Sequence, residues 1–171
     1  QQFEAGLPTR IAGLLHHHGI VPQRLVVEIT EAVMMHDDPQ VRAVLNAISL
    51  LGCRIALDDF GTGYSSLSYL NRFPVDIVKI DQSFTRSISK DAPDISKKSR
   101  MLVEGISAIS HKMNCLVIAE GIETEEQKTM LQEIGVDCGQ GYLFSRPRAI
   151  QSLIETYQVP LEDGKRLKAA Q

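Results

Sequence analysis

The 171-residue chain has little that would hold it in a membrane, on a polyanion or in an oxidising compartment. No apolar run approaches the roughly 20 residues of a membrane helix, because charges such as Arg54 and Asp58 interrupt the candidates. Positive charge is not in excess: 18 Lys and Arg stand against 21 Asp and Glu, a formal net charge of −3, which excludes nonspecific binding to DNA or RNA polymers. A phosphate-bearing ligand would need a metal or local donors to overcome that charge. Cysteines number three, and Cys53, Cys115 and Cys138 each sit in an apolar segment, which reads as buried thiols in a reducing, cytoplasmic setting. The start Gln1-Gln2-Phe3 carries no charged apolar leader and no Met, so the whole protein is expected to extend further N-terminally. What remains, 43% hydrophobic and 23% charged residues, is the profile of one globular domain with one core.

Residues 25–29, 54–57, 76–80 and 116–119 are apolar and β-branched without alternation, the pattern of strands buried on both faces, and 141–144 is a weaker fifth. Between them Val41, Val44, Leu45, Ile48 and Leu51 repeat with helical period, as do Leu102, Ile106, Ile109 and Met113. Asp38-Pro39 opens the first of these helices, Gly52 closes it, and Thr124 with Gln127 forms a capping box before another. Further helices are expected over 8–18, 65–72, 125–134 and 149–157. Strand and helix thus alternate about five times, which calls for a parallel sheet, either doubly wound or closed as a barrel. A dinucleotide fold would need a glycine-rich phosphate loop, and Gly61-Thr62-Gly63 lacks the third glycine and follows two aspartates.

Polar residues stand where each apolar strand finishes: Glu28, Asp58 with Asp59, Lys79, and Glu120. In parallel α/β folds that rim carries the active site. Four carboxylates and a lysine on successive strands repel unless a cation neutralises them, which points to a hard divalent metal with oxygen ligands. Plainer roles exist for some neighbours: Glu31 could cap a helix, and Asp81 could be an N-cap or turn former. Adjacent His16, His17 and His18 point in different directions on a helix and read as a solvated helix end. Asp58-Asp59-Phe60-Gly61 contains the kinase Asp-Phe-Gly triplet without the companion kinase loops, so that reading is discarded.

Five segments occur in a specific order: Glu28-Ile29-Thr30-Glu31; Asp58-Asp59-Phe60-Gly61-Thr62-Gly63-Tyr64-Ser65-Ser66-Leu67; Val78-Lys79-Ile80-Asp81; Ala119-Glu120-Gly121-Ile122-Glu123; and Gln140-Gly141-Tyr142-Leu143-Phe144. Over residues 3–150 they resemble the signature motifs of EAL-domain cyclic-di-GMP phosphodiesterases. The resemblance implies a modified TIM (β/α)8 barrel that binds two Mg²⁺ or Mn²⁺ ions and hydrolyses cyclic-di-GMP to linear pGpG, in bacterial signalling of the kind that governs biofilms. Residues 1–158 would form a partial domain and 159–171 a tail or linker.

Carried onto this chain, the resemblance makes Glu28 and Asp58 metal ligands, lets Asp59 bridge or bind both ions, and gives Glu120 a role in binding or orienting a metal. Lys79 would contact the nucleophilic water and Gln140 would position it. Glu31 would steady the loop after Asp58, Glu123 and Pro147 lie where the family shapes its guanine-binding surface, and Asp81 would belong to substrate binding. A homodimer is implied through the loop and helix after Asp59, where Tyr64, Leu67, Tyr69 and Leu70 offer anchors; the same residues could instead be core. The Glu-Ala-Leu motif and a metal-ligating Asn belong to a segment before Phe3, so roughly the first three strands of a barrel of about 250 residues are not in this sequence. Two classes of function stay open: a phosphodiesterase, or a truncated or noncatalytic cyclic-di-GMP binding or dimerisation module. The intact site residues favour the enzyme. An unrelated Mg²⁺-dependent barrel would share the acidic rim but would not explain the loop after Asp59.

Overall fold

The computed structural model describes residues 3–35, 38–61, 70–88, 93–149, 152, 153 and 156. Among them five strands form one parallel sheet: β1 (Val26–Thr30), β2 (Arg54–Phe60), β3 (Ile77–Ile80), β4 (Leu116–Ala119) and β5 (Cys138–Gly139). Their spatial order equals their chain order. A doubly wound sheet reverses its order at a switch point, whereas a barrel adds strands one after another, so this progression belongs to a barrel. The sheet is a partial barrel of five strands.

Among the described residues, helices fill three of the four crossovers: α1 (Leu7–His17) precedes β1, α2 (Glu31–Met35) and α3 (Pro39–Leu50) join β1 to β2, α4 (Gln82–Arg86) and α5 (Pro93–Lys112) join β3 to β4, and α6 (Glu125–Ile134) joins β4 to β5. Local caps set the starts of α3 and α6. Asp38 accepts the Gln40 N–H at 2.8 Å, and Pro39 supplies the first turn of α3. The capping box of α6 forms as expected, with Thr124 accepting the Gln127 N–H at 3.2 Å and Gln127 accepting the Thr124 N–H at 3.1 Å. Gly135 ends α6 in the left-handed region at φ +90°.

The core lies between the sheet and its helices. Ile29, Ile55, Leu57 and Val78 pack with Leu45, and Ile80, Val117 and Ala119 form a second cluster with Val103 and Leu131; strand alternation puts all these strand residues on the face opposite Glu28, Asp58 and Lys79. Each such aliphatic side chain contributes about 1.5–3 kcal/mol by leaving water. Two acidic residues at the N-terminal ends of strands are structural: Asp76 accepts the Ile55 N–H, and Asp137 accepts the Val117 N–H, both at 2.8 Å. Cys53 and Cys115 are buried and Cys138 half-buried, all without disulfides. No helix among the described residues is long and apolar enough to cross a membrane.

Three expectations change. Residues 141–144 form turns, not a strand: Leu143 N–H donates to Ile122 O at 3.0 Å, folding the chain back over the β4–α6 loop. The fifth strand lies upstream at Cys138–Gly139, too short to show a period. Short helices α2 and α4 have no readable period; α4 starts where Asp81 takes the N-cap role left open for it, and Glu31 opens α2. Of the helix expected over 65–72, residues 65–69 lie outside the described residues and 70–72 form turns. Leu70 belongs to the core cluster with Phe73, while Tyr64, Leu67 and Tyr69 lie outside the described residues, as do 159–171 and most of 149–157.

Candidate active site

Strands β1 to β4 deliver their polar residues to one mouth. Glu28 is the third residue of β1, Asp58 and Asp59 lie near the end of β2, Lys79 is the third residue of β3, and Glu120 follows β4 directly. Lys79 is the centre. Its Nζ lies 2.7 Å from Glu120 Oε1, 2.8 Å from Asp58 Oδ1 and 3.0 Å from Glu28 Oε2. The lysine side chain is only 6% exposed, against 18%, 24% and 49% for Glu120, Asp58 and Glu28, so the ammonium sits beneath a ring of carboxylates that open outward. Burial favours loss of its proton, but hydrogen bonds to Asp58, Glu120 and Glu28 outweigh burial and hold Lys79 above the ordinary lysine range.

Asp59 completes the acidic group. Asp58, Asp59 and Glu120 each bring a carboxylate oxygen within 4.8 Å of the others. Desolvation, then the charges of Asp58 and Asp81, push the Asp59 carboxyl above the usual carboxylate range, and Lys79 opposes them. Oxygen ligands sit about 2.0–2.6 Å from Mg²⁺ or Ca²⁺, so oxygens around one ion are separated by at most about 4–5 Å. The spacing here fits a divalent cation, and four carboxylates facing one ammonium supply charge of the required sign.

Beside Glu120 opens a cleft of about 210 Å³, with Gln82 and Arg86 on one wall, Glu123 on a second, and Gln140 and Tyr142 on a third. Gln140 follows β5, and its backbone is fixed at both ends, donating to Ala119 O and accepting from the Ile122 N–H. Tyr142 is exposed, and the Arg146 guanidinium lies 4.7 Å from its ring centroid. Glu123 Oε1 lies 3.6 Å from Arg86 Nη2.

Asp81 is the N-cap of α4 and accepts the Ser83 N–H at 2.9 Å. Desolvation raises its carboxyl, but the bonds from Ser83 and Gln82 and the Arg86 charge prevail and hold it below the usual range. Glu31 opens α2 half-buried, and the loop it was expected to steady lies outside the described residues. Pro147 is exposed and does not line the cleft. Sequence reasoning did not single out Gln82, Arg86 or Arg146 as site residues. Arg86 ends a five-residue helix with no readable period; Tyr142 lay in a recognised motif without a role.

The EAL domain family model matches residues 1–147. The chain is 37% identical over 154 residues to MucR of Pseudomonas aeruginosa, named a bifunctional diguanylate cyclase/cyclic di-GMP phosphodiesterase, covering 90% of this chain and 22% of that protein. A solved complex of the MucR phosphodiesterase with c-di-GMP is similar at 37% identity and a TM-score of 0.79, covering 89% of this chain and 60% of the other. BlrP1 of Klebsiella pneumoniae, solved with cyclic di-GMP and manganese, is similar at 35% identity and a TM-score of 0.76, covering 84% of this chain and 36% of the other; it was also solved with calcium and cyclic di-GMP. The chain spans about a fifth of the length of the curated relatives it matches. The family model covers most of the chain, and the chain belongs to the EAL domain family.

Proposed function

We propose that this chain carries the C-terminal part of a phosphodiesterase that hydrolyses one phosphodiester of cyclic di-GMP to linear pGpG, with Mg²⁺ or Mn²⁺ as cofactor. The observation that carries the reading is Lys79 hydrogen-bonded to Glu28, Asp58 and Glu120 from successive strands, with Asp59 in the same mouth. A structural lysine needs one partner; this one gathers three beside a cleft.

Asp58, Asp59 and Glu120 would hold the cation, with Glu28 at their edge. Bound there, a divalent cation supplies charge for the phosphoryl oxygens and a more acidic water. The protein's own part is placement. Glu120 and Lys79 fix the polar atoms around the attacking water, and the ammonium limits repulsion among the carboxylates. Gln140, held by its backbone, offers an amide to the same water. The cleft is smaller than the roughly 300–1,000 Å³ of a complete small-molecule site, so it takes one base of the ligand while the rest lies over the acidic mouth. Glu123 lines that cleft, Asp81 and Pro147, outside its lining, would meet the ligand where it extends beyond the cleft, and Glu31 would support the loop after Asp58.

The same reading includes residues 1–158 as the domain, a second copy docking through the segment after Asp59, and a cytoplasmic setting consistent with free thiols. Chromatographic detection of pGpG from cyclic di-GMP with Mn²⁺ tests it, using the protein extended to include a Glu-Ala-Leu segment. Glu120→Gln and Lys79→Ala are expected to cut turnover at least about 100-fold while leaving ligand affinity within a few-fold. Binding without any cleavage by the unaltered protein would move the reading to a noncatalytic module.

A further inference from the structure

The Glu123 carboxylate and the Arg86 guanidinium are 3.6 Å apart, with side chains 46% and 58% exposed. That distance is too long for a hydrogen bond but short enough for the two charges to attract, weakly at such exposure. The difference matters chemically. A tight bidentate pair would occupy both carboxylate oxygens, whereas a longer tether orients them and leaves their lone pairs to accept from something else.

Among the described residues, Glu123 is otherwise held through its backbone only. Its N–H donates to Gln127 Oε1 at 2.8 Å, which anchors it to the start of α6, so the side chain is the adjustable part. Arg86, the last residue of α4, restrains it from across the cleft. Tyr142 lines the same cleft, its exposed ring backed by Arg146, and provides an aromatic face for a base to lie against. A base stacked there would turn an edge toward Glu123. Guanine offers two adjacent donors on its pairing edge, N1–H and the 2-amino group, which match a carboxylate's two oxygens. Adenine offers an acceptor at N1 and would face the carboxylate unfavourably.

We infer that Arg86 is a positioning residue that holds Glu123 to read the pairing edge of guanine, and so sets the base selectivity of the site. The inference rests on the cyclic di-GMP reading above. Arg86 is not asked to stabilise the fold, since an exposed pair at this distance contributes little to stability.

Calorimetric binding in Ca²⁺, on the extended protein, tests it with two ligands: cyclic di-GMP and its inosine analogue, which keeps N1–H but has no 2-amino group. The unaltered protein should prefer guanine by roughly tenfold, the worth of a hydrogen bond to a charged acceptor. Arg86→Gln should weaken cyclic di-GMP about fivefold and the inosine analogue by less, narrowing the preference at an unchanged melting temperature. Arg86→Lys should recover most of it. Equal weakening of both ligands, which would make Arg86 a general attractor of anions, overturns the inference, and so does no weakening of either. Binding of neither ligand by the unaltered protein overturns the cyclic di-GMP reading and this inference together.

Discussion

Asp58 and Asp59 are adjacent in β2, yet both bring a carboxylate oxygen within 4.8 Å of Glu120. In a regular strand successive side chains point to opposite faces. The strand is not regular here. Leu57 pairs with Val78 and Phe60 with Ile80, so β2 carries one more residue than β3 over the same interval. Asp59 absorbs the extra residue in the left-handed region at φ +54°. The bulge re-aims the second carboxylate, and the strained residue is one that the site uses.

Asp59→Gly should therefore raise the denaturant midpoint while weakening the cation site. Glycine adopts this backbone without strain, a gain of about 1 kcal/mol. Chemical denaturation in chelator reads the first effect and Mn²⁺ titration the second. A lowered midpoint would show that Asp59 is held by partners worth more than its strain.

The charge of Asp59 gives a separate expectation. Its folded-state pKa is raised, so it binds a proton more tightly folded than unfolded. Its favourable contribution is fully present below the ordinary carboxylate pKa and is lost as pH rises through the raised value. Without divalent ions, Asp59→Asn should thus stabilise the protein at pH 7 and have a smaller effect at pH 3. Melting curves at the two pH values decide this, and equal shifts at both would contradict it.

Lys79→Met removes the cation that three carboxylates share. Breaking a buried charge cluster by deleting one partner is costly, here on the order of 2 kcal/mol because the carboxylates are partly solvated. Added Mg²⁺ should restore more stability to this variant than to the unaltered protein. In the unaltered protein the stability linked to Lys79 is present throughout the neutral range, and is lost only as pH rises through a folded-state pKa above the ordinary lysine value. Differential scanning calorimetry with and without Mg²⁺ checks the rescue; identical shifts would show that the lysine and the ion do not share ligands.

The rim of Glu28, Asp58, Lys79 and Glu120 was legible because each polar residue interrupts or ends an apolar run. Its strand order was not, since periodicity leaves a barrel and a doubly wound sheet equally open until the register is known. Asp76 and Asp137 show the limit from the other side. They are also acidic residues beside apolar strands, but at the N-terminal ends, where each accepts a backbone N–H of a neighbouring strand. Only the direction of the strand separates the two classes. The bulge at Asp59 and the Arg86–Glu123 tether depend on register and on a contact 37 residues apart in sequence, neither of which a local pattern encodes.

Gly141 makes the turn that closes the cleft. A Cβ there would lie 2.1 Å from Ile122 O and 2.3 Å from Ile122 N, backbone atoms that cannot swing aside. Gly141→Ala should cost at least about 2 kcal/mol and disturb the cleft wall. Gly13→Ala, in α1 with open space around it, should instead stabilise by about 0.5–1 kcal/mol. Paired urea denaturation of the two variants tests the contrast, and a neutral Gly141→Ala would mean the turn can move away from Ile122.

The last expectation concerns which parts of the site these five strands supply. They contribute Glu28, Asp58, Asp59 and Glu120, and the family resemblance assigns a further Glu and an Asn to a Glu-Ala-Leu segment that the sequence here does not include. Two ligands fewer should leave the cation loosely held and the in-line geometry of displacement poorly defined. The 171-residue chain should therefore bind cyclic di-GMP weakly and hydrolyse it at least about 100-fold more slowly than the same chain extended with that segment from a relative such as MucR. Ca²⁺ should suppress turnover by the extended protein, because its larger and more flexible coordination sphere holds the reacting oxygens less well than Mg²⁺ or Mn²⁺ does. The measurement is pGpG formation by both chains in parallel, in Mn²⁺ and in Ca²⁺. Equal turnover by the two chains would show that the ligands on β1 to β4 suffice, and that the additional Glu and Asn shape the fold rather than the chemistry.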